Sequence, residues 1–464
     1  MSFFKAYDMR GTFGVDFDLE TVYKVGKALP QVVKGHRWLV GRDCRVTSKD
    51  MRDALVRGLV EQGVEVTDLG LCTTPMVYFF TAEDDFDGSV MITASHNPPG
   101  DNGLKVSKKT ALPVGYANGL GEVERVVESE SSNRLNRRIV ERWSTESTPQ
   151  PSQPSLSLLN YLNWMKARRP DLSSLSFAVD CSNGMASILV HELFPNAIVI
   201  NDTLDGTFPN HSPNPLKEES RRQLSELVRA KGLDCGVIFD GDADRAMFVD
   251  ERGEFVQPDY LIPVVARATM GFLTQRHGGT TKKIIHDVRT SRGAIEELKR
   301  MGCEPVMVPV GHAFAKPILR EVGAVCGGEL AGHYYFSEFH GCDSGVLAAL
   351  RILGEVAKAK AGGKTFSEMM QPISGVYANS GEMNFKVADK DAAIGRVLAA
   401  AKEKLPTELS RSEMDGIRIE YAEGWVNIRK SNTEPYLRLI AECDTRERLE
   451  NWVSVLKEAI DDAR

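Results

Sequence analysis

One phrase recurs along the chain: a short apolar strand ends in aspartate and runs into a helical stretch. It reads Trp38-Leu-Val-Gly-Arg-Asp43, then Phe177-Ala-Val-Asp180, then Ile284-Ile-His-Asp287. A second apolar run follows each copy (Val64 to Leu69, Ala197 to Ile200, Pro305 to Val308). A third strand then ends in a polar loop, at Val90 to Ser95, Val237 to Asp240 and Val325 to Glu329. Short apolar strands alternating with helical stretches build α/β units around a buried sheet, and three copies predict three related α/β domains. The segment Ser144 to Ser157 holds three prolines and seven Ser or Thr residues. Such a stretch cannot nucleate a core, so it reads as a linker closing the first domain. The charged run Glu122 to Arg142 before it predicts an exposed helix. The expected domains are 1–150, 151–252 and 253–368. Residues 369–464 read differently. Met383 to Val387, Ile417 to Tyr421, Trp425 to Arg429 and Leu437 to Cys443 predict strands, and Asp391 to Leu405 and Thr445 to Ala459 predict amphipathic helices, giving a fourth, α+β domain.

The chain has 464 residues, long enough to bury several cores without disulfides. Its eight cysteines are scattered with no CxxC pair, the pattern of reduced, buried thiols rather than a zinc site. A net charge of −7 argues against a general nucleic-acid or membrane-surface binder. The longest apolar run, Leu261 to Leu273, is broken by Arg267 and is too short to span a bilayer. The first residues turn polar at once and hold no apolar signal core, so a cytoplasmic location is expected.

Four loops carry chemistry. Thr93 to Lys105 follows a strand, which puts Ser95 at a strand's carboxyl end, where ligands bind in α/β sheets. Its Asn-Pro-Pro-Gly and Asp-Asn-Gly turns fold the loop back and bring Lys105 toward Ser95. A serine needs an activating partner to act as a nucleophile, and His96 and Lys105 are the nearby candidates. The second loop, Asp240-Gly241-Asp242-Ala243-Asp244-Arg245, puts three carboxylates on alternate residues, where mutual repulsion calls for a cation. Oxygen ligands favour Mg²⁺ or Ca²⁺ over zinc. An EF-hand is excluded, because Arg245 stands where that loop needs glycine and strands flank it. The third loop, Gly327 to His333, sets Glu329 and His333 among glycines, suited to gripping hydroxyl groups. The fourth, Arg429 to Pro435 with Arg438 beyond, concentrates cationic and hydroxyl donors as an anion nest. Gly363-Lys364-Thr365 is not a P-loop, since Lys358 replaces its first glycine, and no GxGxxG follows a strand.

Together these loops resemble those of the α-D-phosphohexomutase superfamily, and within it the bacterial phosphomannomutase/phosphoglucomutase group. TASHNP with NG.K, DGDADR, GE..GH and R.SNTEP occur in the family's order along essentially the whole chain. The resemblance implies three related α/β domains and a TATA-box-binding-protein-like fourth around one cleft. It implies that the enzyme interconverts hexose 1- and 6-phosphates of mannose or glucose, through a phosphoserine and a hexose 1,6-bisphosphate. By it, Ser95 carries the phosphoryl group, and Asp240, Asp242 and Asp244 hold Mg²⁺ with an oxygen of that phosphoserine. Lys105 matches the general base. His96, Arg10 and Arg245 orient and neutralise the reacting phosphoryl. Glu329, His333 and His312 match sugar-binding positions, with Tyr7 in the opening motif Ala6 to Gly11. Arg429, Ser431, Asn432, Thr433 and Arg438 are expected to hold the distal phosphate.

Two positions depart from the family pattern. Ala331 replaces a usual serine, removing one hydroxyl contact worth about 0.5–1.5 kcal/mol, which predicts weaker or broader sugar recognition. Arg289 stands where lysine is common among relatives, keeping the substrate-side charge but changing its geometry. Asn432 suits hexose mutases over phosphoglucosamine mutases, the nearest alternative. A non-catalytic sugar-phosphate-binding relative and a metal-dependent phosphatase are the alternatives from other classes. Oligomeric state is open between monomer and dimer.

Overall fold

A computed structural model describes residues 3–130, 158–273, 282–431 and 436–461. The linker Ser144 to Ser157 and the anion-loop residues Asn432 and Thr433 lie outside them, as does the stretch of the expected helix beyond 130. What is described of that helix runs Leu120–Glu130.

The three repeated phrases build three sheets of one strand order, the outermost strand of the first being supplied from the N-terminal side of its phrase. In the first, Arg37–Arg42 lies between Glu65–Leu71 and Gly88–Ile92, parallel to both. Antiparallel strands Asp101–Lys108 and Met9–Thr12 then extend it. In the second, Phe177–Asp180 lies between Ile198–Ile200 and Cys235–Phe239, and Ala246–Asp250 and Phe255–Val256 follow antiparallel. The third repeats the order with Lys283–Asp287 between Glu304–Val308 and Cys326–Gly328, then Tyr334–Phe336 and Cys342–Asp343. Helices cover these sheets, so the central strands are buried on both faces and read as continuous apolar runs. The fourth unit is wholly antiparallel. Its strands Ser410–Ser412, Ile417–Glu420, Gly424–Lys430 and Leu437–Cys443 pair in sequence order, and helices Lys390–Lys404 and Arg446–Asp461 pack on its core.

Two buried helices tie the first three units together. Thr74–Glu83 begins on Thr73, whose hydroxyl accepts from the Met76 amide, with proline at the permitted first turn. Its Phe79 ring packs edge-on against Tyr161 of the second unit and stacks near Phe339 of the third. Gly345–Ala361, capped by Ser344, is apolar nearly all round and buried through its first thirteen residues, the signature of a helix enclosed on every side. The fourth unit docks on the third through two arginines. The Arg418 guanidinium lies over the Trp425 ring and donates to the carbonyls of Val288 and Thr290, while Arg292 donates to those of Tyr421, Ala422 and Gly424. The eight cysteines carry free thiols, seven of them buried. Among the described residues no helix is long and apolar enough to cross a membrane.

Candidate active site

The shared strand order explains where the chemistry sits. In each of the first three sheets the polar loop links the third strand, parallel to the centre, to an antiparallel fourth. Ser95 lies between Gly88–Ile92 and Asp101–Lys108, the three aspartates between Cys235–Phe239 and Ala246–Asp250, and Glu329 and His333 between Cys326–Gly328 and Tyr334–Phe336. The three loops meet. Ser95 Oγ donates to Asp240 Oδ2 at 2.6 Å across the first and second units, and Arg245 and His333 form a backbone bridge across the second and third. Three loops far apart in sequence thus meet at one place.

Ser95 is held in a left-handed backbone conformation at φ +50°, uncommon for a residue with a side chain. Two contacts fix it there. Its amide donates to Thr93 Oγ1 at 2.8 Å, and its carbonyl accepts from the buried Arg45 at 2.9 Å. Arg45 also donates to the carbonyls of Asn97 at 2.7 Å, Pro98 at 2.7 Å and Asp101 at 2.9 Å. One guanidinium therefore organises the whole serine loop. Asp43, which ends the first repeated strand, pairs with Arg45, and Phe208 of the second unit lies under the guanidinium, 4.9 Å from it. On the metal-loop side a Cβ added to Gly241 would meet the Ser95 carbonyl at 2.6 Å, so only glycine allows this approach.

Asp240, Asp242 and Asp244 are fully buried, and their ligand oxygens lie within 4.8 Å of one another. Asp242 Oδ1 and Asp244 Oδ1 are buried without a hydrogen-bond partner among the described residues. Buried carboxylate oxygens left in that state suit a hard divalent cation, so the donor set fits a metal. Thr74 donates to Asp242 Oδ2 at 2.5 Å and its amide to the Asp242 carbonyl at 3.1 Å, placing a helix N-terminus against the acidic loop. Burial pushes the Asp240 carboxyl well above the usual range, and the charges of Asp244 and Asp242 add to this.

Lys105 comes back beside this loop on the strand Asp101–Lys108, opposite Met91. Its ammonium lies 2.8 Å from Asp242 and 2.5 Å from Asp244. Burial opposes its charge, but the two carboxylates outweigh burial and hold its pKa above the ordinary value. In this geometry Lys105 neutralises the acidic loop. His96 Nδ1 lies 3.3 Å from Ser95 Oγ, and burial, followed by the charges of Arg245 and Arg10, keeps the imidazole neutral. Arg10 reaches the serine loop through Asn97 Oδ1 at 3.0 Å and is held by Asp8 at 2.6 Å.

The third unit's residues are largely committed to one another. His333 Nδ1 lies 2.7 Å from Asp343, and Arg245 Nε donates to its Nε2 at 2.9 Å, an arrangement that calls for the proton on Nδ1. Glu329 accepts from the Tyr335 hydroxyl and from the Gly311 amide at 3.1 Å. His312 Nδ1 is buried without a hydrogen-bond partner among the described residues. Tyr7 spans the seam between first and third units, its hydroxyl donating to the Val310 carbonyl at 3.2 Å and its ring edge-on to Phe314.

In the fourth unit Arg429 and Arg438 sit directly opposite each other on paired strands. Both donate to Glu382, and so does Arg289 of the third unit. Ser431 begins the loop, its amide donating to the Tyr436 carbonyl at 2.9 Å. Sequence reasoning missed Arg45, Thr74, Asp343 and Glu382. Arg45 carried one signal, its place just past a strand-ending aspartate; the others are single polar residues without pattern.

One buried hydroxyl and three buried carboxylates from two α/β units, bridged to the loop of a third, define a multidomain α/β enzyme. The chain matches the four successive family descriptions "Phosphoglucomutase/phosphomannomutase, alpha/beta/alpha domain I" over residues 1–134, domain II over 158–253, domain III over 257–375, and the C-terminal domain over 382–459. It is similar to a phosphomannomutase of Salmonella montevideo, 33% identical and covering 95% of this chain and 94% of the relative. A protein named phosphohexose mutases of Xanthomonas campestris is 35% identical, again over 95% and 94% of the two chains. A solved phosphoglucomutase/phosphomannomutase family protein of Burkholderia thailandensis superposes with a TM-score of 0.82 at 27% identity, over 99% and 97% of the chains. The chain belongs to the phosphoglucomutase/phosphomannomutase family and is a phosphohexomutase.

Proposed function

We propose that this enzyme interconverts the 1- and 6-phosphates of mannose or glucose through a phosphorylated Ser95 and a hexose 1,6-bisphosphate. The observation that carries the reading is the 2.6 Å contact between Ser95 Oγ and Asp240 at the junction of three domains. The names of the similar phosphomannomutases support mannose phosphates as the first substrates to test. In the first half-reaction a sugar hydroxyl oxygen forms a bond to the phosphorus on Ser95, and the bond from phosphorus to Ser95 Oγ breaks. The hydroxyl proton passes to the protein, and Lys105 is the group we assign to receive it; to do so it must leave its two carboxylate partners, shed its own proton and stand as the neutral amine when the sugar is bound. The bisphosphate then turns over. Ser95 Oγ forms a bond to the other phosphorus, the bond from that phosphorus to its sugar oxygen breaks, and the proton returns from Lys105 to that oxygen, leaving the isomeric monophosphate.

Mg²⁺ held by Asp240, Asp242 and Asp244 would supply charge neutralisation for the transferring group. Arg10 and Arg245 add fixed positive charge at the same place, and neutral His96 offers a hydrogen bond. Glu329, His333 and His312 are assigned to the sugar hydroxyls, with Arg289 and Tyr7 at the cleft wall. Arg429, Ser431, Asn432, Thr433 and Arg438 are assigned to the phosphate that is not reacting. Anchoring that remote group spends binding energy on orienting the reactive hydroxyl.

The test is kinetic. Mannose, glucose and glucosamine 1-phosphates are compared in parallel, with glucose 1,6-bisphosphate as primer and inorganic phosphate release followed alongside. Turnover of the hexose phosphates, loss of that turnover in Ser95→Ala, and phosphate attached to isolated Ser95 are expected. Wild-type-like turnover by Ser95→Ala overturns the phosphoserine. Stoichiometric phosphate release marks a phosphatase instead, and preference for glucosamine phosphate overturns the hexose assignment.

A further inference from the structure

The phosphate nest already holds an anion, and it belongs to the protein. Glu382 lies at the start of the strand Met383–Phe385, which pairs with Leu437–Cys443 so that Asn384 faces Arg438. Its Oε1 accepts from Arg429 at 2.9 Å and from Arg289 at 3.3 Å, and its Oε2 accepts from Arg438 at 3.1 Å. The pair Arg429 and Arg438 needs such an anion, because like charges directly opposite on adjacent strands repel. Arg289 has a second carboxylate, Asp287, at 2.5 Å, which takes its Nη2 and Nε donors. A third carboxylate, Glu329, lies 3.9 Å from Arg289, while Glu382 is the carboxylate shared by all three guanidiniums. Arg429 has capacity in reserve: its buried Nε has no hydrogen-bond partner among the described residues.

We infer that Glu382 is the resident counter-ion of this nest, holding Arg429 and Arg438 in place and competing with the substrate's distal phosphate for their donors. The inference rests on the reading of Arg429 and Arg438 as the distal-phosphate site. A phosphate monoester carries about −1.5 to −2 charge at neutral pH and calls on the same guanidinium donors that Glu382 occupies. The incoming group therefore either displaces the Glu382 carboxylate or shares guanidiniums with it, and in both cases Glu382 weakens the grip. Tight holding of the ground state does nothing for the chemical step. It would also slow an enzyme whose bisphosphate has to let go of this nest, turn and be gripped again. Glu382 is accordingly a positioning residue acting through the arginines, and it trades affinity for exchange.

The test measures inorganic phosphate binding by titration calorimetry, and KM and kcat separately, in Glu382→Gln, Glu382→Asp and Arg429→Gln proteins shown to be folded by circular dichroism. Removing one opposing charge from a partly screened site is expected to tighten phosphate by about tenfold in Glu382→Gln. KM should fall by a similar factor and kcat should fall with it, a split that simple damage to the domain would not give. Asp is too short to span both arginines, so Glu382→Asp should lie between wild type and Gln; it also carries the test if the Gln variant does not fold. Unchanged or weakened phosphate binding in the folded Glu382 variants overturns the inference. Arg429→Gln separates the two readings. If it leaves phosphate binding unaltered, the nest itself is misassigned. If it weakens binding while Glu382→Gln fails to strengthen it, only the counter-ion inference falls.

Discussion

Arg45 makes the sharpest prediction about the serine loop, because it touches the loop at four carbonyls and is not assigned to substrate. In Arg45→Ala the carbonyls of Asn97, Pro98 and Asp101, which lie partly at the surface, can be rehydrated from the space the side chain leaves. The Ser95 carbonyl cannot, since its bond to Arg45 is wholly buried. A hydrogen bond to a charged group is worth about 1.5–3 kcal/mol, and a residue held at positive φ stores about 1–3 kcal/mol of backbone cost that its neighbours must offset. Charging only the one buried bond against the loop, the productive Ser95 conformation is disfavoured by about 2–3 kcal/mol. At about 1.4 kcal/mol per tenfold, kcat/KM should drop roughly 30- to 150-fold. Arg45→Lys keeps the charge against Asp43 but cannot serve four carbonyls from one point, and should lose about tenfold. A coupled mutase assay reads the rate, and mass spectrometry of Ser95 over time reads how long its phosphate survives; a loosened loop should shed it to water faster. Folded Arg45→Ala and Arg45→Lys proteins with kcat/KM within threefold of wild type and unaltered phosphoserine lifetime would refute the reasoning.

Three further outcomes are expected. Asp242→Asn removes a carboxylate charge from the acidic loop while leaving an acceptor for Thr74, and should raise the Mg²⁺ concentration needed for half-maximal activity at least about tenfold; a titration curve superimposable on wild type counts against the metal assignment. Gly241→Ala pushes a methyl to 2.6 Å from the Ser95 carbonyl, so loop and serine must separate; kcat should fall by about two orders of magnitude with little loss of thermal stability, and normal turnover would show that the approach is not needed. Although burial alone would raise it, the Glu382 carboxyl is drawn down from 4.5 to about 2 by Arg289, Arg429 and Arg438. A folded-state pKa below the unfolded one stabilises above the unfolded value and loses that contribution as pH falls through the window between them. The stability advantage of wild type over Glu382→Gln in urea unfolding should therefore be constant above about pH 5 and shrink from pH 4.5 downward; a gap independent of pH would remove Glu382 from the ion-pair cluster.

The contrast between what the residues announced and what the fold supplied has a physical basis. Chemistry on phosphate asks for uncommon residue types at short spacing, so Ser95 with His96, the alternating aspartates and Arg429 to Arg438 stand out in one dimension. The three strand phrases were equally visible, since apolar periodicity is a local property. The last strands of the sheets were not: Phe255–Val256 and Cys342–Asp343 are two residues each, too short to show a period, and Met9–Thr12 joins its sheet from the opposite end of the domain. Turn chemistry brought Lys105 back toward the serine loop, yet its partners are Asp242 and Asp244 on another domain, a choice made by packing. Arg45 and Glu382 are the clearest cases. Each is a lone charged residue in sequence, and its meaning comes from partners 50 positions away in one case and 47 to 93 in the other. A catalytic group has to be of a particular kind, whereas a supporting group has only to be a donor or acceptor within reach. The supports of this site are therefore where the structure adds most, and where substitution should change rates without touching a single substrate contact.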